Sequence, residues 1–317
     1  MQALKIVVPS ISDEELKRVK SIAKGVEVVM VQNLEEARRE AVDADALYGF
    51  CTPEIVQEAR RLRWIQVQSA GVEHYLFPEL VNSDITLTNA SRIYGIELAD
   101  HIMAMILAFA RCLPFLLSKQ REEVWESRAN LRSVELQDMT LLIVGLGGVG
   151  TETARRAAAF GMHIIATEIK EMPRPNIIEY IGKPEELHSL LPKADWVAIC
   201  VPLTPKTRKL FGRREFNLMK PTAYLINVTR GGIVDIDALV EALREGKIAG
   251  AGLDVTDPEP LPQGHPLWKM ENVIITPHSS GQSQGADIRM FNLFCENLHR
   301  FVSDEPLTHV VDKLAGY

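Results

Sequence analysis

The chain has 317 residues, which suggests about two domains at a prior of roughly 150 residues each. Hydrophobic residues make up 46% and charged residues 24%, ordinary values for a globular protein that exclude disordered and fibrous classes. The formal net charge is −7, and no run of Lys and Arg stands apart from acidic neighbours, so nucleic acid and anionic membrane surfaces are disfavoured as partners. We expect a small-molecule substrate, or a second copy of the chain, instead.

Targeting and cysteine patterns point to the cytoplasm. The first ten residues hold no apolar stretch long enough for a signal peptide. The longest apolar run, residues 102–110, is far shorter than the roughly 20 residues that span a bilayer. The cysteines are too scattered for a CxxC motif, so we expect reduced thiols and no metal site at Cys51, Cys112, Cys200 and Cys295.

Short β-branched runs alternate with helical segments from the start of the chain, a pattern typical of βαβ units and a parallel sheet. Five such runs predict strands at residues 4–9, 26–31, 46–50, 64–67 and 85–88. Ser12 and Glu15 fit a capping box, and Thr52 before Pro53 fits an N-cap with proline at the first helical position. These features predict a first α/β unit of five strands.

A long apolar helix is predicted over residues 96–118. Pro114 should end or kink it, because the proline ring removes a backbone donor. The helix carries more apolar surface than one flank of a domain needs, so we expect a homodimer that uses part of it. We interpret His101, on this apolar helix, as a packing histidine.

A second α/β series follows the long helix. Its strands are predicted at residues 141–145, 163–167, 195–200, 223–227, 249–255 and 272–276. The last predicted helix, near residues 284–302, lies beyond this series and can return to the first unit. The sequence therefore predicts a discontinuous first domain, residues 1–100 plus 284–317, and a second domain, residues 101–283.

A glycine-rich turn, Gly-Leu-Gly-Gly-Val-Gly at residues 145–150, follows a predicted strand and opens a helix. Such glycines allow a tight turn and bring backbone N–H groups close to a pyrophosphate. Glu168 ends the next strand, where a carboxylate accepts hydrogen bonds from the adenosine ribose and repels a 2′-phosphate. NAD is therefore favoured over NADP, although Lys170 and Arg174 keep NADP open.

Three polar residues follow predicted strands of the second series, at the edge where open parallel sheets bind ligands. Arg230 can hold a carboxylate with its planar fork, and His278 can exchange a proton near neutral pH. Glu259, hydrogen-bonded to the imidazole, would hold its tautomer and favour its charged form. Taken singly, Arg230 fits a surface ion pair, Glu259 a solvated turn residue and His278 a turn donor. Taken together, they suit reduction of a 2-oxo acid.

Several spaced motifs occur in one order between residues 64 and 305: WIQVQSAGVE, LADH, VGLGGVG, AAAFGM, VPLTPKTR, INVTRGGIVDIDAL, AGAGLDVTDPEP and ITPHSSG. In these motifs the chain resembles the D-isomer-specific 2-hydroxyacid dehydrogenase family. The resemblance implies an α/β fold of two doubly wound parallel-sheet domains, with a Rossmann dinucleotide domain inserted into a smaller flavodoxin-like substrate domain. It also implies an NAD-dependent oxidoreductase that interconverts a 2-oxo acid and the (R)-2-hydroxy acid.

The resemblance assigns roles residue by residue. Arg230 is implied to bind the substrate, Glu259 to partner the histidine and His278 to act as acid and base. The implied cofactor-binding residues are Gly145, Gly147, Gly148, Val149, Gly150, Glu168, Pro202, Thr207, Val228, Thr229 and Asp254. The implied substrate-binding residues are Ala70, Gly71, Val72, Asn89 and Arg92.

Alternatives remain for the first-unit residues and for the activity. Residues 69–72 fit an anion-binding nest of backbone amides or a tight turn, and Arg92 fits contact with an acidic or phosphorylated substrate or a solvated position. A phosphoglycerate dehydrogenase stays open, whereas Glu259 disfavours a formate dehydrogenase, whose family pattern has glutamine there. An NADH-sensing, corepressor-like binding protein is the alternative outside the enzymes.

Overall fold

The computed structural model describes residues 4–317, which fold as two compact units. Unit 1 comprises Met1–Ile93 and Ser283–Tyr317, and unit 2 comprises Tyr94–Gln282. The chain therefore leaves unit 1 once and returns to it once. The first crossing lies just before a helix that belongs wholly to unit 2, whereas the sequence places it at residues 100/101, inside that helix.

Unit 1 is a five-stranded parallel sheet flanked by helices, with elements numbered here along the whole chain. Its strands are β1 Lys5–Pro9, β2 Glu27–Val31, β3 Ala46–Tyr48, β4 Trp64–Gln66 and β5 Thr86–Thr88. Its helices are α1 Asp13–Ile22, α2 Leu34–Ala41, α3 Pro53–Glu58, α4 Pro78–Val81 and α11 Ala286–Val302. The strand order β2-β1-β3-β4-β5 is the flavodoxin-like order, which confirms the predicted class.

Local sequence signals set the helix starts of unit 1. The Ser12 side chain accepts from the Glu15 N–H while the Glu15 carboxylate accepts from the Ser12 N–H, which completes the predicted capping box. Thr52 accepts from Ile55 N–H at 3.4 Å at the start of α3. The core of the unit includes Phe294 of α11, so the last helix is needed to complete it.

Unit 2 is a seven-stranded parallel sheet with helices on its faces. Its strands are β6 Thr140–Val144, β7 His163–Thr167, β8 Tyr180–Gly182, β9 Trp196–Ile199, β10 Tyr224–Asn227, β11 Gly250–Leu253 and β12 Val273–Ile275. Its helices are α5 Gly95–Ala110, α6 Leu113–Arg121, α7 Gly148–Ala159, α8 Leu187–Leu190, α9 Arg213–Leu218 and α10 Ile236–Arg244. The order β12-β11-β10-β9-β6-β7-β8 is the Rossmann arrangement with one further strand at the β12 edge.

Two features of unit 2 differ from the sequence-based expectation. The edge strand β8 was not predicted, because only two strand-favouring residues, Tyr180 and Ile181, precede its glycine, and that run is too short to stand out. The long helix predicted over residues 96–118 is two helices, α5 and α6, separated at Cys112, whose φ of 56° is left-handed. Pro114 lies in the first turn of α6, where its missing N–H removes no helical hydrogen bond.

Within residues 4–317, no single helix has the length and apolar composition needed to cross a membrane. The pair α5 and α6 meets these two criteria only when joined, and it is bent by 68°.

Candidate active site

The C-terminal ends of the unit 2 strands form one edge, because every strand pair in the sheet is parallel. The loops after β6, β7, β9, β10, β11 and β12 therefore leave the sheet on the same side. Each of these loops carries residues that the sequence singles out for cofactor binding or catalysis. Open parallel sheets bind ligands at this edge.

The glycine turn joins β6 to α7 in a way that only glycine permits at two positions. Gly145 has a φ of 99°, and a Cβ there would lie 2.7 Å from Val201 Cγ1. A Cβ on Gly150 would lie 2.0 Å from the carbonyl oxygen of Gly145, so helix and strand meet at backbone distance. A Cβ on Gly147, in contrast, would find no atom within 4 Å.

The start of α7 is suited to a phosphate group. Gly147 is its N-cap, and Gly148 and Val149 supply N–H groups in the first turn, where a helix has no internal acceptors. The open space beside Gly147 lets a ligand approach this backbone closely. The turn therefore fits the pyrophosphate of a dinucleotide. A dinucleotide bound here would supply hydride chemistry at this edge of the sheet.

Glu168 follows β7 and is held against the glycine turn. Its Oε2 accepts from the Leu146 N–H at 2.7 Å, and its Oε1 accepts from the N–H groups of Ile169 and Lys170 at 2.9 and 3.1 Å. Three N–H donors thus fix the carboxylate at the strand end. A cavity of about 560 Å³ extends from Glu168 past Lys170 and Arg174 to β8. An anion at Glu168 is expected to repel the 2′-phosphate of NADP.

The loops after β9 and β10 are fixed by short side-chain contacts. After β9, Thr207 Oγ1 donates to the Pro202 carbonyl oxygen at 2.6 Å. After β10, buried Asn227 accepts from the Thr229 N–H at 3.1 Å through its Oδ1 and donates to the Arg230 carbonyl oxygen at 2.9 Å through its Nδ2. Val228 between them is buried. The turn that presents Arg230 is therefore anchored from within.

Arg230 is brought beside the loop that follows β11. A Cβ on the next residue, Gly231, would lie 2.0 Å from the carbonyl carbon and oxygen of Thr256, so the two loops touch backbone to backbone. The Arg230 Nη1 donates to the Thr229 carbonyl oxygen at 2.9 Å. A side chain at position 231 would separate Arg230 from the segment that carries Glu259.

Glu259 and His278 form a hydrogen-bonded pair. The His278 Nδ1 lies 2.6 Å from the Glu259 Oε1, and the two side chains are 44% and 41% exposed. Within residues 4–317, the His278 Nε2 makes no hydrogen bond, so this atom can exchange a proton with a ligand. A carboxylate in this position favours the imidazole tautomer that carries its proton on Nδ1 or the doubly protonated form.

Asp254 fixes the backbone on both sides of His278. Its carbonyl oxygen accepts from the His278 N–H at 2.8 Å, and its carboxylate accepts from the N–H groups of Ser279 and Ser280 at 2.9 and 3.0 Å. His278 itself has a left-handed φ of 51°, a conformation that is costly for a residue with a side chain. Asp254 therefore orients the imidazole through the main chain.

The carboxyl group of Asp254 is only 1% exposed, yet it is held ionised. Burial alone would raise its pKa, but hydrogen bonds from Ser280, Thr276 and Ser279 outweigh burial and lower the pKa below its ordinary value of 3.8. A negative charge therefore persists at this edge of the sheet at neutral pH.

The residues of unit 1 that the sequence singles out lie around the ends of β4 and β5. The Asn89 Nδ2 donates to the Ala70 carbonyl oxygen at 2.6 Å, and the Ala90 N–H donates to the Ser69 carbonyl oxygen at 2.9 Å. Within residues 4–317, the N–H groups of residues 70–72 make no hydrogen bond, so they can bind an anion.

Arg92 is exposed and has a left-handed φ of 69°. Its positive charge, together with burial as the larger cause, lowers the pKa of His309, so the two side chains are electrostatic neighbours. Asn89 N–H donates to the His309 carbonyl oxygen at 3.1 Å, which ties this C-terminal segment to the end of β5. No sequence pattern marks His309, because Asn89 and Arg92 lie more than 200 positions away from it in the chain.

Comparison with known proteins places these residues in a family context. The family model described as "D-isomer specific 2-hydroxyacid dehydrogenase, NAD binding domain" matches residues 103–280, more than half of the chain. Glyoxylate reductase of Thermofilum pendens is 36% identical over 288 residues, covering 88% of this chain and 84% of that protein.

Two further relatives bear on substrate and cofactor. D-3-phosphoglycerate dehydrogenase of Methanocaldococcus jannaschii is 32% identical over 97% of this chain, which spans 59% of the length of that protein. The solved structure of NADPH-dependent glyoxylate/hydroxypyruvate reductase from Sinorhizobium meliloti, in complex with NADP and sulfate, covers 100% of both chains with a TM-score of 0.83 and 28% identity.

Proposed function

This chain belongs to the D-isomer specific 2-hydroxyacid dehydrogenase family, and on that premise we propose that it interconverts a 2-oxo acid and the (R)-2-hydroxy acid with NAD. Members of the family are NAD(P)-dependent oxidoreductases that act on CH–OH groups. The observation that carries the proposal is the 2.6 Å contact between His278 Nδ1 and Glu259 Oε1, at the sheet edge that also presents the glycine turn and Arg230.

His278 is the proposed acid and base. When bound, the dinucleotide supplies the hydride for reduction of the carbonyl carbon. His278 donates a proton from Nε2 to the carbonyl oxygen during reduction and removes it from the hydroxyl during oxidation. Glu259 accepts the Nδ1–H of His278, and this contact directs Nε2, the nitrogen that exchanges the proton, away from Glu259.

Arg230 and the N–H groups of Ala70, Gly71 and Val72 are proposed to bind the substrate. The guanidinium presents two parallel donors to a carboxylate, and its charge polarises the adjacent carbonyl. The amides of residues 70–72 offer donors without a charged side chain. Asn89 acts on this loop through its 2.6 Å contact with the Ala70 carbonyl oxygen.

The cofactor site is proposed to prefer NAD. The fixed Glu168 carboxylate supports this preference, because it suits the ribose hydroxyls and repels a 2′-phosphate. The remaining proposed contacts are Gly145, Gly147, Gly148, Val149, Gly150, Pro202, Thr207, Val228, Thr229 and Asp254. NADH and NADPH titrations at equal salt test the preference, and tighter binding of NADPH contradicts it.

The activity is tested by NADH oxidation with glyoxylate, hydroxypyruvate, pyruvate and oxaloacetate, and by NAD reduction with the separate isomers of each chiral 2-hydroxy acid product. We expect turnover of at least one oxo acid and oxidation of the (R) isomer. In His278→Ala, turnover should fall by about 10²- to 10⁴-fold while NADH still binds. Near-normal turnover in that variant removes His278 from the mechanism.

A phosphoglycerate dehydrogenase is the second candidate. The 32% identity to the Methanocaldococcus jannaschii enzyme favours it, although this chain spans only 59% of that protein. Arg92, exposed at the end of the β5 loop, offers a positive charge for a phosphorylated or acidic substrate. Including 3-phosphoglycerate in the oxidation assay separates this candidate from a glyoxylate-type activity. Tight NADH binding without turnover of any substrate would instead favour a sensor.

A homodimer is proposed from the apolar surface of α6 and the segment that follows it. Leu113, Leu117, Val124 and Trp125 are 44%, 51%, 48% and 100% exposed. Several large apolar side chains exposed within one short segment are unusual on a protein that works alone. Light scattering tests the assembly.

A cytoplasmic location is also proposed. The four cysteines are free thiols, three of them buried, which suits a reducing compartment. Cell fractionation with an antibody to the protein tests the location.

A further inference from the structure

Helix α5 packs closely against α7 and against one face of the unit 2 sheet. A Cβ on Gly95, its first residue, would lie 2.9 Å from the carbonyl oxygen of Gly148 in the glycine turn. Ten residues further along, nearly three turns of the helix, the Met105 sulfur would lie 2.7 Å from a Cβ on Gly252 of β11. The helix is therefore held at two points against elements of the candidate site, and His101 lies between them.

His101 faces the loop after β12. Its side chain is 23% exposed, and its Nε2 lies 3.0 Å from the Thr276 Oγ1 and 3.9 Å from the Asp254 Oδ1. The Thr276 Oγ1 in turn lies 2.5 Å from the Asp254 Oδ1. Three side chains, one from α5 and two from the loops that follow β12 and β11, thus form one chain of hydrogen bonds.

The direction of these hydrogen bonds follows from proton counting. An ionised carboxylate only accepts, so the single hydroxyl proton of Thr276 must go to Asp254. The Thr276 oxygen then has only lone pairs left for His101. The His101 Nε2 must therefore carry a proton and donate it to Thr276.

This chain of hydrogen bonds reaches the backbone directly beside His278, the proposed acid–base residue. Asp254 receives the Thr276 hydroxyl on the same oxygen that accepts the Ser279 N–H, directly after His278. A carboxylate that turned away from this position would release the N–H groups that hold the left-handed backbone at His278. The orientation of Asp254 is therefore coupled to that of the imidazole.

We propose that His101 is a positioning residue for His278, which acts by donating from Nε2 to Thr276 and so holding the Asp254 carboxylate in its clamping orientation. This role rests on the proposed function, since it assumes that His278 exchanges the proton. His101 touches neither Glu259 nor His278 in any described contact, so its effect is indirect. From its sequence context alone, on an apolar helix, His101 is predicted to serve packing only.

Turnover kinetics test the proposal with paired variants. Thr276→Val removes both hydrogen bonds while keeping the shape of the side chain, and it should lower kcat about tenfold while the NADH Kd changes less than threefold. Thr276→Ser keeps the hydroxyl and should recover most of that loss. His101→Leu should lower kcat three- to tenfold, and His101→Gln, which retains an N–H donor, should recover it.

Two controls separate this role from general destabilisation. His188→Leu removes a partly exposed histidine that contacts Glu215 at 2.7 Å on another face of unit 2, and it should leave kcat unchanged. The double variant His101→Leu with Thr276→Val should be no slower than Thr276→Val alone, because both residues act along one chain. Additive losses, or wild-type kcat in Thr276→Val, overturn the proposal.

Nitrogen NMR of ¹⁵N-histidine-labelled protein gives a readout that does not need turnover. The His101 signal, assigned by its disappearance in His101→Gln, should report a protonated Nε2 and should shift in Thr276→Val. An unprotonated Nε2 overturns the proposal even if the enzyme is active. If the wild type turns over no 2-oxo acid, the proposed function fails, and the NMR signal alone then decides whether His101 holds Thr276.

Discussion

The closest backbone approach in the glycine turn gives a sharp prediction for Gly150→Ala. The added methyl carbon would lie 2.0 Å from the Gly145 carbonyl oxygen and 3.0 Å from Ile143 Cγ2. Ordinary contacts lie near 3.5 Å, so α7 must move away from β6 by about 1.5 Å. Neither neighbour can rotate aside, because the first is main chain and the second belongs to a buried strand residue.

The expected cost is at the upper end of that for an overpacked core, about 3 kcal/mol. For a unit of this size, that corresponds to a fall of about 6–12 °C in the Tm of the unit 2 transition. NADH binding should be lost as well, because the shift moves the first turn of α7. Thermal unfolding by circular dichroism and titration of NADH fluorescence measure the two effects.

Gly147→Ala, at the N-cap three residues before Gly150, is the matched control. Its methyl group would meet no protein atom within 4 Å, so the Tm should stay within about 2 °C of wild type. NADH affinity should still fall by at least about tenfold, because the methyl group occupies the space from which a ligand reaches the helix N-terminus. Wild-type Tm and NADH affinity in Gly150→Ala would refute the steric reasoning.

Three further predictions concern the charge, the substrate and the assembly. Asp254→Asn should lower the free energy of unfolding by about 2 kcal/mol at pH 7, because it leaves a buried N–H without an acceptor. Since folding lowers the pKa of Asp254, this loss of stability should shrink as the pH falls below 3.8. Urea unfolding at pH 7 and at pH 3.5 measures both effects. Arg92→Ala should lower kcat/KM for oxaloacetate about tenfold relative to pyruvate, and an unchanged ratio of the two contradicts contact with an acidic substrate. Leu117→Glu combined with Trp125→Ser should halve the mass found by light scattering, whereas a wild-type mass places the dimer contact elsewhere.

Much of the fold was predictable because its signals are local. Alternating β-branched runs predicted all five strands of unit 1 and six of the seven in unit 2, and the capping residues at Ser12 and Thr52 marked two helix starts. Strand β8 was not predicted, because a three-residue edge strand is stabilised by its neighbour β7 more than by its own sequence. The break at Cys112 was not predicted, because Pro114 is the stronger sequence signal and places the expected end or kink of the helix two residues later.

The candidate site was predictable only in part. Motif spacing identified Glu259 and His278, and their 2.6 Å contact follows from parallel strands whose ends share an edge. The contact between His101 and Thr276 depends on how α5 is rotated over that edge, a property of packing that no local pattern encodes. The assignment of His101 to packing therefore overlooked a hydrogen bond that links residues 175 positions apart.

The interrupted course of unit 1 has a consequence for synthesis on the ribosome. Residues 94–282 form a contiguous stretch whose seven strands are all available once β12 has emerged. Unit 1 cannot complete its core until α11 has been translated, because Phe294 of α11 is fully buried and stacks on Tyr48 with ring centroids 4.2 Å apart. Strands β1 to β5 thus keep an unfilled apolar face until α11 has been translated, and nascent chains should depend on chaperones during that interval.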